Sequence, residues 1–178
     1  MFELTDHTAK IASFTPIAEK HGDENKLAAS LKLELTCSNA VLDAFHKDLR
    51  TALYRKAGSG EQQDLIEGAD GLVAVKFPRI GGLSWDEEFP GYELSLSGFM
   101  GIADSLDLVD VTLKKFKFEP LEGGSVALTF SAVFHPDAEE AGQLCALIQD
   151  EVELTLVPPS KQDGESEEGY QQELPEAA

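Results

Sequence analysis

Between Ser38 and Gly58 the residues Val41, Leu42, Phe45, Leu49 and Leu53 return at helical spacing. The pattern predicts a helix over Ser38–Ala57. Ser38 or Asn39 can cap its start, because a side-chain oxygen there accepts from an otherwise unpaired amide. Arg50, Arg55 and Lys56 place positive charge toward its C-terminal end, where the helix dipole favours it. Gly58 allows a stop. Asp43 and Lys47, four apart, are spaced to pair across a turn.

Most other periodic stretches alternate in the manner of half-buried strands. Leu31, Leu33, Leu35 and Cys37 share one face, opposite Lys32, Glu34 and Thr36. Val73, Val75 and Phe77 alternate up to Pro78, and Tyr92, Leu94 and Leu96 do so before Gly98. Val126, Leu128, Phe130, Ala132 and Phe134 alternate most cleanly. In the segment before them, Val109, Val111 and Leu113 share one register and Phe116 and Phe118 the other. A bulge near Lys114–Lys115 would bring both sets onto one side. The EPLEGG stretch between these two segments is a hairpin connection. Phe2 and Leu4 begin a first strand. Ile11, Phe14 and Ile17 follow at irregular spacing, and Thr15-Pro16 signals a bend or an edge position.

A shorter helix is expected after Asp137, which forms a capping box with Glu140. Ala141, Leu144, Cys145 and Ile148 are its apolar stripe, and Val152, Leu154 and Leu156 form the last strand before Pro158-Pro159. Gly58–Gly71 reads as a polar loop anchored by Leu65 and Ile66. The expected class is α+β. An antiparallel sheet, or a partly open β-barrel or sandwich, is packed around one long and one short helix. A single domain spans residues 1–158, followed by a flexible acidic tail over residues 159–178.

Charge changes the picture most. The 178 residues include 33 acidic and 14 basic side chains, for a formal net charge of −19. The tail contributes six acids against Lys161, so the remainder still carries −14. Such a field repels phosphates and attracts cationic partners. The two cysteines, Cys37 and Cys145, sit in apolar periodic segments and are expected as buried free thiols. The start, MFELTDHTAKIASF, lacks the basic region and apolar core of a signal peptide. No apolar run has membrane-spanning length. An intracellular, reducing location in the cytoplasm is the expectation.

Recognisable chemistry is sparse. His21, Asp23 and Glu24 crowd a turn but lack the ligand spacing of a calcium or zinc site. Gly58-Ser59-Gly60 lacks the Lys-Ser/Thr of a phosphate loop. No catalytic residue, metal or cofactor is expected. Trp85 with Asp86, Glu87 and Glu88 forms a candidate surface for a basic protein partner, against the plainer possibility that Trp85 and Phe89 anchor a loop on the core. Lys114, Lys115 and Lys117 form the compact basic cluster and the candidate nucleic-acid contact, although alternation points Phe116 and Phe118 inward.

The strings EKHGDE, LRTALYRKA, KFPRIGGLSWD and FHPDAEEAGQLCALIQDEVELTL together resemble an uncharacterised family of phage and prophage early-region accessory proteins. The resemblance implies a role in the bacterial host cytoplasm and carries no assigned catalytic residues. The leading expectation is a nonenzymatic protein that binds a basic partner, a nucleic-acid enzyme or host defence factor. The alternatives are a single-stranded DNA-binding or recombination accessory protein with a regulatory acidic tail, and a structural or assembly oligomer, including a homodimer.

Overall fold

The computed structural model describes residues 2–21, 24–58, 71–98 and 105–159. The elements in order are β1 (Leu4–His21), β2 (Glu24–Ser38), a 3-10 helix (Asn39–Ala44), α1 (Leu49–Leu53), β3 (Tyr54–Lys56), β4 (Leu72–Val75), β5 (Leu83–Trp85), β6 (Phe89–Ser97), β7 (Leu106–Leu121), β8 (Ser125–Phe134), α2 (Ala138–Ala146) and β9 (Glu151–Val157). The main sheet is antiparallel in the order β5-β7-β6-β9-β1-β2-β8, and β8 also pairs with β7. That last pairing closes six strands into a barrel, with β5 as a short addition along the edge of β7 that faces β6. The interior is filled by side chains, as a barrel of this size requires. Leu31, Leu33, Leu128, Phe130, Leu94 and Leu154 are all fully buried there.

Closure depends on extra residues that bend the strands. In β7 the buried set runs Leu106 and Leu108, then Val111 and Leu113, then Phe116 and Phe118. The parity changes at Asp110 (φ 53°) and Lys115 (φ 57°). The bulge expected near Lys114–Lys115 is therefore present, with the β7–β8 register shifting between Lys114 and Lys117. A further bulge at Asp110 corrects the expected register, because it turns Val109 outward to 70% exposure. β1 changes parity twice as well, from Leu4 to Ala9 and Ile11 and then to Phe14. Its register shifts flank Asp6 and Ala12. In β6, Gly91 (φ 77°) separates Phe89 from Tyr92, Leu94 and Leu96. Each such insertion adds local twist and re-aims the side chains beyond it.

The expected long helix is not formed. Its sequence breaks into the 3-10 helix, a turn and the five-residue α1, then enters β3. The physical reason is the buried pair Asn39 and Arg50. In a continuous helix they would stand about 16 Å apart. Here Arg50 Nε donates to Asn39 Oδ1 at 3.0 Å, and Arg50 also pairs with Asp43 at 3.3 Å, taking the place expected for Lys47. Asn39 Nδ2 donates to the Leu72 carbonyl at 2.7 Å, tying the fold-back to β4. Ser38 does cap the start, accepting from the Ala40 amide at 3.3 Å.

The segment therefore sits across one barrel mouth, and the sheet does not wrap around it. Phe45 is the hub of this lid, with ring centroids 4.8 Å from Phe118, 4.9 Å from Phe116 and 5.2 Å from Phe2. Gly123 (φ 84°) and Gly124 (φ 78°), in the expected β7–β8 hairpin, donate their amides to the Val73 carbonyl and so dock β4 on the same end. A side chain at Gly124 would meet Val73 Cγ1 at 3.3 Å.

At the opposite end α2 has the expected capping box, with Asp137 and Glu140 bonded reciprocally at 2.8 Å. It buries Leu144 and, just after it, Leu147. Cys145 is exposed, contrary to expectation, because the short helix rests on the barrel along a narrow stripe. Ile148 is 37% exposed for the same reason, while Cys37 is buried as expected. Phe77 is likewise outside, at 54%, since β4 ends at Val75. Beyond the barrel, the β1–β2 hairpin continues as an arm from about Thr15. There β1 has no second strand neighbour among the described residues, and β2 has left β8 behind at Ala29. Pro16 on this free-edged ribbon fits the edge position expected for it. The Gly58–Gly71 anchors Leu65 and Ile66, and all of the acidic tail after Pro159, lie outside the described residues.

Replacing Asn39 with alanine leaves the Leu72 carbonyl and the Arg50 guanidinium short of a partner. The expected loss is about 2–3 kcal/mol in urea unfolding. Burial also pushes the Cys37 thiol from its ordinary 9.0 up to about 11. The Tyr54 phenol, desolvated in the same way, rises from 10.0 to about 12. Both groups stay neutral in the fold while the unfolded chain ionises. Stability is then expected to be level below pH 9 and to fall as pH rises through 12. Urea midpoints at a series of alkaline pH values check this.

Candidate functional site

The two sets of residues singled out in the sequence meet at one place. β5 and β6 pair with the same edge of β7, so Leu83–Ser97 acts as one strand interrupted by Asp86–Glu88. Trp85 pairs with Phe116, and Phe89 pairs with Leu113. The acidic triplet is therefore an outward bulge facing the Lys114–Lys115 bulge of β7. Glu88 lies 3.9 Å from Lys114, and Glu87 accepts from the Trp85 indole at 2.8 Å. The acidic and basic candidates are the two lips of a single feature.

Trp85 is half-buried. Its ring meets Phe45 edge-on at 6.3 Å, and Phe89 meets Phe45 at 5.8 Å. Both rings anchor their segment on the lid, as the plainer expectation had it. Phe116 and Phe118 are buried, so the lysines between and beside them project outward, as alternation implied.

Across the outer surface of β2, β8, β7 and β5 runs a groove of about 1020 Å³. Lys32, Lys115 and Lys117 line it together with Glu34, Asp86 and Glu119, and Trp85, Thr129 and Ser131 contribute to its floor and wall. Lys32 pairs with Glu34 at 3.1 Å. Lys117 lies across Gly82, where an added Cβ would fall 2.1 Å from Lys117 Cε. The outer part of the Lys117 side chain therefore lies over the Gly82 backbone, and a larger residue at 82 would displace it.

The other side of the barrel has a different character. Glu93, Ser95 and Ser97 of β6 alternate outward, as do Glu151, Glu153 and Thr155 of β9. Ser95 donates to Asp107 at 2.6 Å, Ser97 to Glu153 at 3.5 Å and Thr155 to Asp6 at 3.2 Å. The result is a lattice of carboxylates and hydroxyls over β7, β6, β9 and β1, in which Lys10 opposes Glu151. This acidic face was missed in the sequence. Its signal was the polar half of the YELSLS and EVELTL alternations, which only the β6–β9 pairing places side by side.

Among the described residues, no group of three or more His, Cys, Asp or Glu side chains is arranged to hold a metal ion. The side chains of the His21–Asp23–Glu24 turn lie outside the described residues. Among the described residues, no helix is long and apolar enough to cross a membrane. Compared with protein-family models, with curated proteins and with solved structures, the chain matches none of them.

If Trp85 is chiefly an anchor, Trp85→Ala should cost about 2 kcal/mol in chemical unfolding, less than a fully buried ring because part of it is exposed. Glu87→Gln keeps an acceptor for the indole and should cost under about 0.5 kcal/mol. Equal losses in the two variants would contradict the anchoring role.

Proposed function

We propose that this protein is a nonenzymatic binding module whose partner is a protein with a basic surface. The observation that supports the reading is the carboxylate lattice formed by Asp6, Glu93, Asp107, Glu151 and Glu153, carried on paired strands of a closed barrel. Rigid strands hold these charges at fixed spacing, which favours electrostatic complementarity over a diffuse acidic coat. Complementary charge raises association rate and suppresses wrong partners. Asp86, Glu87 and Glu88 serve as a secondary contact, since Glu88 and Glu87 already face Lys114 and the Trp85 indole. The resemblance to phage and prophage accessory proteins supports a partner in the bacterial host cytoplasm, of the nucleic-acid-enzyme or host-defence type.

A second reading, contact with single-stranded nucleic acid, draws on the groove that brings Lys32, Lys115 and Lys117 beside Trp85. Glu34, Asp86 and Glu119 in the same groove oppose a phosphate chain, so this reading stands second.

The test is capture from nuclease-treated bacterial extract on the immobilised full chain. A partner should be retained at about 0.1 M salt and released near 0.5 M, where screening is far stronger. The variant Glu93→Lys/Asp107→Lys/Glu153→Lys should lower its affinity by about tenfold or more. Asp86→Asn/Glu87→Gln/Glu88→Gln should change it by about twofold or less. Full retention by the first variant overturns the assignment of the face. Salt-dependent binding of a single-stranded oligonucleotide, lost in Lys115→Ala/Lys117→Ala, would favour the second reading.

A further inference from the structure

We propose that Val109 and Val157 form the apolar centre of the acidic face, an assignment that rests on the basic-partner reading. The partner is then a protein segment in which lysine or arginine alternates with aliphatic side chains.

The strand register brings the two valines together. Tyr92 of β6 pairs with Val111 of β7 and Leu94 with Leu108, so Val109 and Asp110 both stand opposite Glu93. On its other side Glu93 pairs with Val157 of β9. One row across three strands therefore reads Val109, Glu93, Val157, with all three exposed. Two strand spacings set the valines about 10 Å apart, with the carboxylate between them. Val109, at 70%, is the most exposed large apolar side chain among the described residues, and Val157 is 46% exposed. The bulge at Asp110 requires an extra residue but not an apolar one, because Leu108 and Val111 carry the inward register.

The ground around this row has one sign. No lysine or arginine occurs in residues 80–113 or 118–160. Asp107, Asp110 and Glu153 are exposed beside the row. Lys114 is taken up by Glu88. Lys10 lies opposite Glu151, about 20 Å along β9 from Val157. A second copy of this chain would set carboxylate against carboxylate, and a phosphate backbone or an anionic lipid surface is repelled in the same way. A cationic protein segment matches both parts of the row. Its ammonium or guanidinium groups meet Glu93, Asp107 and Asp110, while its aliphatic side chains cover the valines. An apolar centre inside a polar rim is the common anatomy of a protein interface. The carboxylates speed the encounter, and burial of the valines slows release.

The probes are two fluorescein-labelled peptides of equal charge, Lys-Leu-Lys-Leu-Lys-Leu-Lys and Lys-Ser-Lys-Ser-Lys-Ser-Lys. Each is titrated with the full chain by fluorescence anisotropy at about 0.1 M salt. The parent is expected to bind the leucine peptide about fivefold or more tightly than the serine peptide. Val109→Ser/Val157→Ser should remove that preference and leave the serine peptide within about twofold of its parent affinity. Its urea midpoint should match the parent, since both side chains already stand in water. Glu93→Gln/Asp107→Asn should weaken both peptides alike. Equal affinity of the parent for the two peptides overturns the inference and leaves the basic-partner reading standing. So does a leucine preference that survives in Val109→Ser/Val157→Ser. Undiminished binding of both peptides by Glu93→Gln/Asp107→Asn overturns the basic-partner reading and the inference with it.

Discussion

Closing the β7–β8 seam is the constraint on which the other features depend. A six-stranded antiparallel sheet left open would expose two rows of unpaired backbone groups, and closure removes them. Closure also demands more curvature than a regular strand supplies. The chain provides it at Asp6, Ala12, Gly91, Asp110 and Lys115, where an added residue bends a strand and resets which side chains face inward. Asp6, Asp110 and Lys115 adopt positive φ without being glycine. That conformation disfavours an L-residue by about 1–2 kcal/mol. The strain is tolerated because each residue restores a full inward register for the leucines, valines and phenylalanines beyond it.

The two ends of the barrel are closed by different physics. At one, α2 applies Leu144 and Leu147 as a narrow hydrophobic plug, and its capping box satisfies the Asp137 and Glu140 amides. At the other, the lid joins an aromatic cluster centred on Phe45 to a buried polar knot of Asn39, Arg50 and the Leu72 carbonyl. The polar knot fixes where the backbone folds, and Phe45 packs its ring against Phe2, Phe116 and Phe118. Tyr54 ties the C-terminal end of the lid to both strands of the β7–β8 hairpin, donating to the Ser125 carbonyl and accepting from the Leu121 amide.

How much of this was legible follows from the same bends. Clean alternation in β2, β8 and β9 identified their buried faces, because none of those strands changes parity within the barrel. β7 was half legible. The switch between Leu113 and Phe116 stood out against two lysines, whereas the one between Leu108 and Val111 was hidden by Val109, an apolar residue facing solvent. β1 read as irregular because two parity changes fall within a few residues of each other. The Ser38–Ala57 helix was misread since Leu42, Phe45 and Leu53 do share a side, but on a folded-back lid, and a one-dimensional pattern does not register the Asn39–Arg50 contact. Trp85–Glu88 and Lys114–Lys117 were recognisable as clusters, yet their confrontation across β5 and β7 required the strand order. The acidic face needed the non-sequential β6–β9 neighbourhood for the same reason.

Lys115 shows how a position can matter through its mere presence. Its side chain points to solvent, and other side chains could replace it at little cost to the core. Its backbone, however, is the spacer that keeps Phe116 and Phe118 in phase with the leucines behind them. Excising that one residue would rotate both rings out into water and draw their charged neighbours inside. A scan of unbranched side chains would rate the site as nearly silent, while a single-codon deletion there would dismantle the lid end of the barrel.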